Sequence, residues 1–422
     1  MPVMASALRL LPRRAPWATA HALTCRSISS TAPRFQTLSK TGLYDLHVAK
    51  GGKMVEFAGY SMPLLYGDVG QIESHNHVRT RAGLFDVGHM VQSIISGGSA
   101  HGFLEWLTPS PIRSLPLHGS TLSVLLNENG GIIDDLIVTK QSHDGDKFYV
   151  VTNAGRRERD LDWFADRIKE WNAEEGKGKD KPVSLEVLED WGLVALQGPE
   201  AASVLQSLVD QPLGSLYFGN SAFMNINGVR VHVARGGYTG EDGFEISISP
   251  QDTLAIAEAL SAPSIVQWTG LAARDSLRLE AGMCLYGHDL NEDIGPVEAG
   301  LSWLIGKERR SGPSANFIGA EHVLRVLGKG GLDHKKRRVG LIVDGPPARE
   351  GMAIYDSEGK EELGSVTSGI PSPTLGKNIA MGYVKSGWHK KGTELKVQVR
   401  KNMRPAVVTP MPFVAPKYYR GP

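Results

Sequence analysis

Two adjacent carboxylates interrupt an apolar run between Gly130 and Thr139. The run itself, Ile-Ile-Asp-Asp-Leu-Ile-Val-Thr, is typical of a buried β-strand, and a buried carboxylate without a partner is costly. Successive strand side chains point to opposite faces, so Asp134 and Asp135 cannot both reach solvent from a regular strand. We expect one of them to point inward and to need a partner or ligand. The alternative is that the pair lies in the turn after Gly130 and caps backbone amides there.

Length and composition indicate a globular protein with more than one domain. The chain has 422 residues, which at about 150 residues per domain predicts two or three domains. Hydrophobic residues make up 41% and charged residues 22%, as in ordinary soluble domains. The formal net charge of +1 gives no indication of nucleic-acid or acidic-membrane binding. We find no apolar run long enough to span a bilayer.

The first 36 residues have the composition of a mitochondrial transit peptide. They are rich in Arg and Ser, and no acidic residue precedes Asp45. Arg26 stands before a Ser- and Thr-rich stretch, which predicts cleavage between Arg26 and Gln36. We therefore assign residues 1–36 to a transit peptide and expect the mature protein in the mitochondrial matrix. A terminal tail without targeting function is the alternative.

The two cysteines exclude a disulfide framework. Cys25 falls in the predicted transit peptide, so Cys284 stands alone in the mature chain and can form no intramolecular disulfide. A lone cysteine in a domain of this size is more often a small buried hydrophobe than a nucleophile.

Residues 37–306 mix strand and helix patterns. Residues 147–152 predict a strand, and residues 156–171 predict a helix because apolar side chains recur there at three- and four-residue spacing. A further helix is predicted at 271–280.

The character of the chain changes after residue 306. Residues 307–336 are basic and Gly-rich, which predicts a linker with one short helix. Residues 337–422 contain short β-rich segments separated by Gly, Pro, Ser or Asp, and this pattern predicts a small β-barrel or sandwich.

A glycine-rich stretch between Arg235 and Glu245 joins two segments of alternating polarity, 229–233 and 244–248. Its four glycines allow backbone conformations and close approaches that other residues avoid. A phosphate-binding loop would continue through Lys and Ser or Thr into a helix, whereas acidic residues and a strand follow here. An elaborate hairpin turn is the alternative.

Two charged residues in these predicted elements are candidates for ligand binding. Glu245 lies within an apolar strand, and a carboxylate that faces a pocket can accept two adjacent N–H groups of a planar heterocycle such as a pterin. A surface-facing Glu is the alternative. Arg274 shares a helix face with Arg278. It can bind an anionic or carbonyl group of a ligand, or pair with a carboxylate of its own helix.

Taken in order along the chain, these segments resemble the aminomethyltransferase (T-protein) family of the glycine cleavage system. The match runs from Thr41 to Tyr419, and it also rests on residues 84–90, 151–155, 296–301, 366–369 and 411–414. The resemblance implies an α+β, multidomain folate-binding aminomethyltransferase fold. In that fold two interleaved α/β subdomains and a C-terminal β-barrel surround a central channel.

The resemblance also implies the reaction and its participants. The methylene carbon of the aminomethyl group on the dihydrolipoyllysine arm of H-protein passes to tetrahydrofolate, which yields methylenetetrahydrofolate, ammonia and a reduced lipoyl group. Lipoylated H-protein is then the partner and tetrahydrofolate the co-substrate, and no metal, nucleic acid or membrane is expected.

Six site residues follow from the resemblance by position. Asp135 is the expected catalytic acid near nitrogen 10 of folate, and the folate-site residues are Glu245, Arg274, Tyr418, Asn153 and Met90. We expect the Asp135 carboxylate to orient a folate nitrogen and to stabilise developing positive charge, rather than to remove a proton outright.

Two alternative functions are those of related proteins. Folate-binding iron–sulfur cluster assembly factors share the fold but carry a Lys-Gly-Cys-x-x-Gly-Gln-Glu type of motif, which this chain lacks. Dimethylglycine and sarcosine dehydrogenases add a flavin domain with a Gly-x-Gly-x-x-Gly fingerprint, for which this chain has no room. The His-Glu-x-x-His and Gly-x-Ser-x-Gly motifs of hydrolases are also absent.

Two basic clusters, 307–310 and 335–338, are candidates for docking an acidic H-protein. A solvated linker explains the same charges equally well.

Overall fold

The computed structural model describes residues 37–328 and 335–421. The predicted transit peptide, residues 1–36, lies outside the described residues. Within the described ranges, none of the helices is both long and apolar enough to cross a membrane. The helices are α1 Tyr44–Ala49, α2 Gln71–Thr80, α3 Ala100–Leu107, α4 Arg157–Ala173, α5 Ala201–Gln206, α6 Thr253–Ser261, α7 Leu271–Glu280 and α8 Ala320–Gly328.

The strands lie in one hairpin, two open sheets and one barrel. They are β1 Gly52–Phe57, β2 Tyr60–Tyr66, β3 Ala82–Asp86, β4 Val91–Ser96, β5 Ser120–Leu126, β6 Ile132–Lys140, β7 Lys147–Thr152, β8 Ser184–Val187, β9 Gly192–Gln197, β10 Ser221–Ile226, β11 Val229–Arg235, β12 Gly243–Ile248, β13 Val266–Trp268, β14 Lys336–Val343, β15 Ala353–Tyr355, β16 Glu362–Ser372, β17 Lys377–Lys385, β18 Glu394–Val399 and β19 Asn402–Thr409.

The two open sheets are interleaved along the chain. The six-stranded sheet has the order β10-β11-β12-β9-β3-β13, and the five-stranded sheet has the order β5-β6-β7-β4-β8. Strand β3 thus precedes the strands of the five-stranded sheet, and β9 to β13 follow them. The last six strands close a barrel in the order β14-β17-β16-β15-β18-β19. The predicted α+β fold, with two interleaved α/β subdomains and a C-terminal barrel, is confirmed.

The predicted elements coincide with observed ones. The strand predicted at 147–152 is β7, the helix predicted at 271–280 is α7, and α4 begins one residue after the start predicted for 156–171. Strands β11 and β12 pair antiparallel with Ala234 opposite Glu245, and the glycine-rich stretch is the loop of this hairpin.

The two open sheets pack together through apolar side chains. Phe85 of β3, Tyr149 and Val151 of β7, Leu193 of β9 and Leu277 of α7 form one buried cluster. Removing such side chains from water is the main favourable term in folding. The cluster fixes β7, β9 and α7 relative to one another, and β9 is the neighbour of β12 in its sheet. These are the elements around the site described below.

Glu280, the last residue of α7, fastens this helix to α2 and to the barrel. Its buried carboxylate accepts hydrogen bonds from Arg79 of α2 at 2.7 and 3.2 Å. It also accepts bonds from the Ser372 hydroxyl at the end of β16 and from the Thr374 hydroxyl in the turn that follows. A buried carboxylate is tolerated because every bond here comes from a donor fixed by another element. The helix that carries Arg274 is therefore held at its C-terminal end.

The predicted linker is packed rather than extended over 307–328. Phe317 is buried in a cluster that includes Ile132 of β6. Arg309 is 3% exposed and donates to the backbone oxygen of Thr108. Residues 329–334 lie outside the described residues. The domain bounds 37–306, 307–336 and 337–422 stay predictions.

Candidate functional site

The central side chains of the site lie where β6 and β7 run side by side. In their antiparallel register Leu136 lies opposite Thr152, the last residue of β7. Asn153 therefore follows directly beside Asp135. The Asn153 side-chain amide donates to Asp135 Oδ1 at 3.0 Å and to Asp134 Oδ1 at 2.9 Å. Strand pairing thus brings two predicted site residues, Asp135 and Asn153, into contact.

The two aspartates belong to the strand and not to the preceding turn. Both lie within β6, opposite Leu125 and Val124 of β5. The turn is stabilised instead by Asn127, whose Oδ1 accepts the Gly131 N–H at 2.9 Å. The turn alternative for the aspartate pair is therefore wrong.

Asp134 and Asp135 have different surroundings, as the alternation of a strand requires. Asp134 is fully buried, and its Oδ2 accepts the Asn153 backbone N–H at 2.9 Å. Asp135 is only partly buried. Burial raises the pKa of Asp135 to about 7, and the neighbouring Asp134 adds to the rise while the Asn153 hydrogen bond opposes it. Near neutral pH the Asp135 carboxyl is therefore poised between its two protonation states.

Glu245 of β12 and Arg274 of α7 are close enough for each charge to affect the other. The described part of the chain shows no ion pair between them. Arg274 Nη1 is buried and has no hydrogen-bond partner. Burial lowers the pKa of Arg274, and the charge of Glu245 opposes that effect. Burial raises the pKa of Glu245, and the charge of Arg274 opposes that rise. Two opposite, poorly solvated charges that do not pair leave both groups available to a ligand.

Tyr238, from the glycine-rich loop, lies against Arg274 and close enough to Asp135 to be affected by its charge. The Arg274 guanidinium is 4.9 Å from the centre of the Tyr238 ring, a cation–π distance. Burial raises the pKa of the Tyr238 hydroxyl, and the charge of Asp135 adds to the rise. The hydroxyl donates to the backbone oxygen of Cys284. The loop thus places an aromatic ring against the guanidinium of Arg274.

Met90 and His89 lie in the connection between β3 and β4. Met90 is partly buried and packs against the cluster that contains Phe85 and Val151. His89 is 4% exposed, its Nδ1 has no partner, and its ring lies 5.6 Å from the Phe57 ring. Burial lowers the pKa of His89 to about 4, so the ring is neutral at physiological pH.

Tyr418 lies on the C-terminal segment that crosses the glycine-rich loop. The backbone N–H of Lys417 donates to the Gly240 oxygen at 2.8 Å. The Tyr418 ring stacks on Phe218 with ring centres 4.1 Å apart, and Arg420 lies over Phe218. These contacts place Tyr418 beside the loop. The contacts within the site are those between Asp135 and Asn153 and between Tyr238 and Arg274.

Sequence reasoning missed three residues that the structure brings to this region. Tyr238 was the only aromatic residue within the loop 236–242, which is a usable signal. His89 is the third residue after β3 and directly follows Gly88, with no distinguishing pattern. Asp160 lies in the first turn of α4 and is fully buried, although an aspartate is normally a solvated residue.

Family models cover almost all of the described chain. The model for the GCVT N-terminal domain matches residues 43–309. The model for the glycine cleavage T-protein C-terminal barrel domain matches residues 336–415.

Individual relatives match over nearly their full lengths. The chain is 47% identical to the mitochondrial aminomethyltransferase of Saccharomyces cerevisiae over 395 residues, which is 91% of this chain and 96% of the relative. It is 48% identical to the mitochondrial aminomethyltransferase of Pisum sativum, with 91% of each chain covered. Among solved structures, the glycine cleavage system aminomethyltransferase T from Bartonella henselae superposes with a TM-score of 0.82 at 38% identity. That match covers 91% of this chain and 100% of the other.

Proposed function

The chain belongs to the glycine cleavage T-protein family, and from this premise we propose which groups of the site perform the transfer. It is an aminomethyltransferase of glycine cleavage, and its curated relatives are mitochondrial, as the N-terminal composition predicted. The relatives favour this activity over the iron–sulfur assembly alternative.

The proposed reaction moves a one-carbon unit between two partners. Lipoylated H-protein delivers an aminomethyl group in the matrix, and tetrahydrofolate accepts its methylene carbon with release of ammonia. Tetrahydrofolate supplies the nucleophilic nitrogens. The side chains of this protein hold the reactants in line and stabilise the positive charge that develops as the carbon becomes iminium-like.

The observation that carries the proposal is the poorly solvated set of polar side chains near Tyr238 and Arg274, namely Asp135, Glu245 and Arg274 itself. Within residues 37–328 and 335–421, Asn153 is the one side chain that donates to the Asp135 carboxylate, at Oδ1, which leaves Oδ2 available to a reacting nitrogen. A carboxylate held in a poorly solvated position stabilises a nearby cation far more than one in water does. Asp135 is therefore assigned as the catalytic acid residue, with Asn153 fixing its rotamer.

Glu245 and Arg274 suit a flat, polar heterocycle. The Glu245 carboxylate can accept two adjacent N–H groups of a pterin ring, and the unpartnered Arg274 Nη1 can donate to its carbonyl oxygen. Tyr238 and Met90 offer apolar surface on which such a ring can lie. Tyr418, beside the loop, is assigned to the outer end of the same site.

A coupled assay tests the reaction itself. Purified protein is mixed with aminomethylated H-protein and tetrahydrofolate, and the formation of methylenetetrahydrofolate and ammonia is followed. We expect both products in equal amounts, and we expect ammonia release to become slow when tetrahydrofolate is omitted. Failure to form methylenetetrahydrofolate would refute the proposal.

A binding titration tests the role of Glu245 separately. Glu245→Gln keeps the shape of the side chain and removes its charge, and we expect tetrahydrofolate affinity to fall about 10- to 100-fold, as for loss of a charged hydrogen bond. Glu186→Gln, on an exposed position of β8, is the matched control and should bind as the wild type does. Equal tetrahydrofolate affinities of the two variants would show that Glu245 does not bind folate.

The contacts of two arginines determine which residues of the basic clusters are suited to a test of H-protein docking. Arg309 donates to the backbone oxygens of Glu105 and Thr108 at the end of α3, and Arg338 donates to the Ala299 and Gly282 oxygens. Reversing these charges would disturb the fold. Charge reversal at the exposed Lys307 and Lys335 is the cleaner test, and an unchanged apparent affinity for H-protein would exclude both basic clusters.

A further inference from the structure

Helices α2 and α7 lie side by side and are joined by one polar contact in each turn. The three contacts are those of Gln71 Nε2 with the Ala272 oxygen at 2.9 Å, of His75 Nδ1 with Ser276 Oγ at 2.8 Å and of Arg79 Nη2 with Glu280 Oε2 at 2.7 Å. Successive contacts are four residues apart on both helices, so they lie along one face of each helix. The register of α2 on α7 is therefore fixed, and with it the place of Arg79 relative to Arg274.

Arg79 also reaches the glycine-rich loop 236–242. Its Nη1 donates to the Thr239 backbone oxygen at 2.7 Å and to Glu241 Oε1 at 3.0 Å, while its Nε and Nη2 donate to Glu280. Arg79 is 9% exposed and Glu241 is 2% exposed. Hydrogen bonds from a planar guanidinium to carboxylates are strong and hold both partners in a defined orientation. One side chain therefore ties the loop to the end of α7.

Gln197, the last residue of β9, holds the other side of the loop. Its side chain is fully buried, its Nε2 donates to the Gly236 oxygen at 2.9 Å, and its Oε1 accepts the Thr239 hydroxyl at 2.8 Å. The backbone is thus held on both sides of Tyr238, by Gln197 at Gly236 and by Arg79 at Thr239.

An ion pair at the surface holds the same loop carboxylate. Lys417 Nζ lies 3.2 Å from Glu241 Oε1, and the Lys417 side chain is 58% exposed. Exposed ion pairs contribute little to stability, because water and salt screen their charges. The buried contacts of Arg79 are therefore the stronger hold on this side of the loop.

We propose that Arg79 is a positioning residue for the transfer, which holds the loop 236–242 so that the Tyr238 ring lies against the Arg274 guanidinium before folate binds. The ring centre is 4.9 Å from that guanidinium. This inference rests on the proposed folate-binding role of Arg274. Apparent affinity falls with the fraction of molecules in the binding conformation, so a surface that is already in place binds its ligand more tightly.

Arg79→Lys tests this role, with Arg81→Lys as the matched control. The variant keeps the charge, but a single ammonium group cannot replace the planar fork that serves Glu280 and the loop together. We expect the Kd of tetrahydrofolate to rise about ten-fold, as for loss of one hydrogen bond to a charged group. Arg81, exposed and directly after α2, should be replaceable by Lys without a change in this Kd.

The division between kcat and Kd separates positioning from a merely structural role. In Arg79→Lys, kcat at saturating tetrahydrofolate should stay close to that of the wild type, because Asp135 lies on the other open sheet. A merely structural role would instead lower the amount of folded enzyme, and with it the maximal rate, while the folded fraction kept the Kd of the wild type. That second result would overturn the proposal.

A double-mutant cycle shows whether Arg79 acts through Tyr238. Tyr238→Ala removes the ring, and in that background Arg79→Lys should cause little further loss of tetrahydrofolate affinity. Additive losses in the double variant would show that Arg79 acts by another route and would overturn the proposal.

Amide hydrogen exchange measures the hold on the loop without reference to activity or folate. Amides of residues 237–242 should exchange about ten-fold faster or more in Arg79→Lys than in the wild type, because the loop opens more often. They should be unchanged in Arg81→Lys. Equal exchange in Arg79→Lys and the wild type overturns the proposal. If Arg79→Lys does not fold, Glu241→Ala is tested in the same way, since it removes one loop contact of Arg79 and leaves the Glu280 contact in place.

The outcomes also distinguish this inference from the proposed function. Failure of the wild type to bind tetrahydrofolate overturns the proposed function, whatever the exchange rates. Tetrahydrofolate binding by the wild type that neither Tyr238→Ala nor Arg79→Lys weakens overturns this inference alone, because the roles of Asp135 and Glu245 have tests of their own.

Discussion

Replacing Asp135 with Asn should stabilise the protein at alkaline pH while it removes activity. Burial raises the pKa of this carboxyl from 3.8 to about 7 in the folded protein. Each pKa unit corresponds to about 1.4 kcal/mol, so ionising the buried group at high pH opposes folding by about 4 kcal/mol. Asp135 is partly solvated, which reduces the expected effect to about 2 kcal/mol.

The sign of the effect changes with pH in a defined way. Below about pH 4 the carboxyl is protonated in both the folded and the unfolded chain, so the substitution removes no charge. Between about pH 4 and pH 7 the unfolded chain ionises first, and the wild type loses stability as the pH rises. Above about pH 7 the advantage of Asp135→Asn reaches its full value. The amide oxygen of the variant can still accept the Asn153 hydrogen bond.

Urea unfolding of both proteins across this range measures the difference in the free energy of unfolding. Asp166→Asn, at an exposed position of α4, controls for the general effect of removing a negative charge. A variant that is no more stable than the wild type above about pH 7 would refute the argument that Asp135 is held in an unfavourable environment for the sake of the reaction.

Further predictions concern the elements that hold the site. Burial alone would raise the pKa of Glu280, but hydrogen bonds, led by that of His75, outweigh it and lower the pKa to about 2. The resulting stability is present above the unfolded value near 4.5 and is lost as the pH falls toward 2. Glu280→Gln should therefore lower the free energy of unfolding by about 3 kcal/mol at neutral pH, and by less in acid, as measured by urea titration. Gly131→Ala would place its Cβ 1.8 Å from the Glu292 backbone oxygen and should lower the Tm sharply in a thermal scan. Gly214→Ala, with no neighbouring atom within 4 Å of its Cβ, should not.

Strand patterns predicted much of the fold because their evidence is local. The alternation of 229–233 and 244–248 predicts a pair of strands, and the structure has them in one hairpin. The short β-rich segments after residue 336 likewise predicted a small barrel or sandwich, and the structure has a closed barrel there. The packed state of 307–328 could not be predicted in this way, because it depends on Phe317 meeting a surface of β5 and β6 that lies far away in sequence.

The aspartate pair shows the same limit at the site. Strand alternation predicts that one carboxylate points inward, and Asp134 is the fully buried one. The local pattern does not reveal that Asn153 donates to this carboxylate, because that contact depends on the pairing of β6 with β7. Nor does it reveal that Tyr238 lies against Arg274, since two separate segments of the chain must meet to place it there.

The central claim is that the Asp135 carboxylate promotes transfer to tetrahydrofolate from within the folate site. Its most direct test is the single-turnover rate of Asp135→Asn with aminomethylated H-protein and saturating tetrahydrofolate, with folate affinity measured in parallel. We predict a rate lower by roughly a hundred-fold or more, as for loss of a preorganised charge, and a folate affinity close to that of the wild type. A rate near that of the wild type, or a loss of folate binding with an unchanged rate at saturation, would contradict the account.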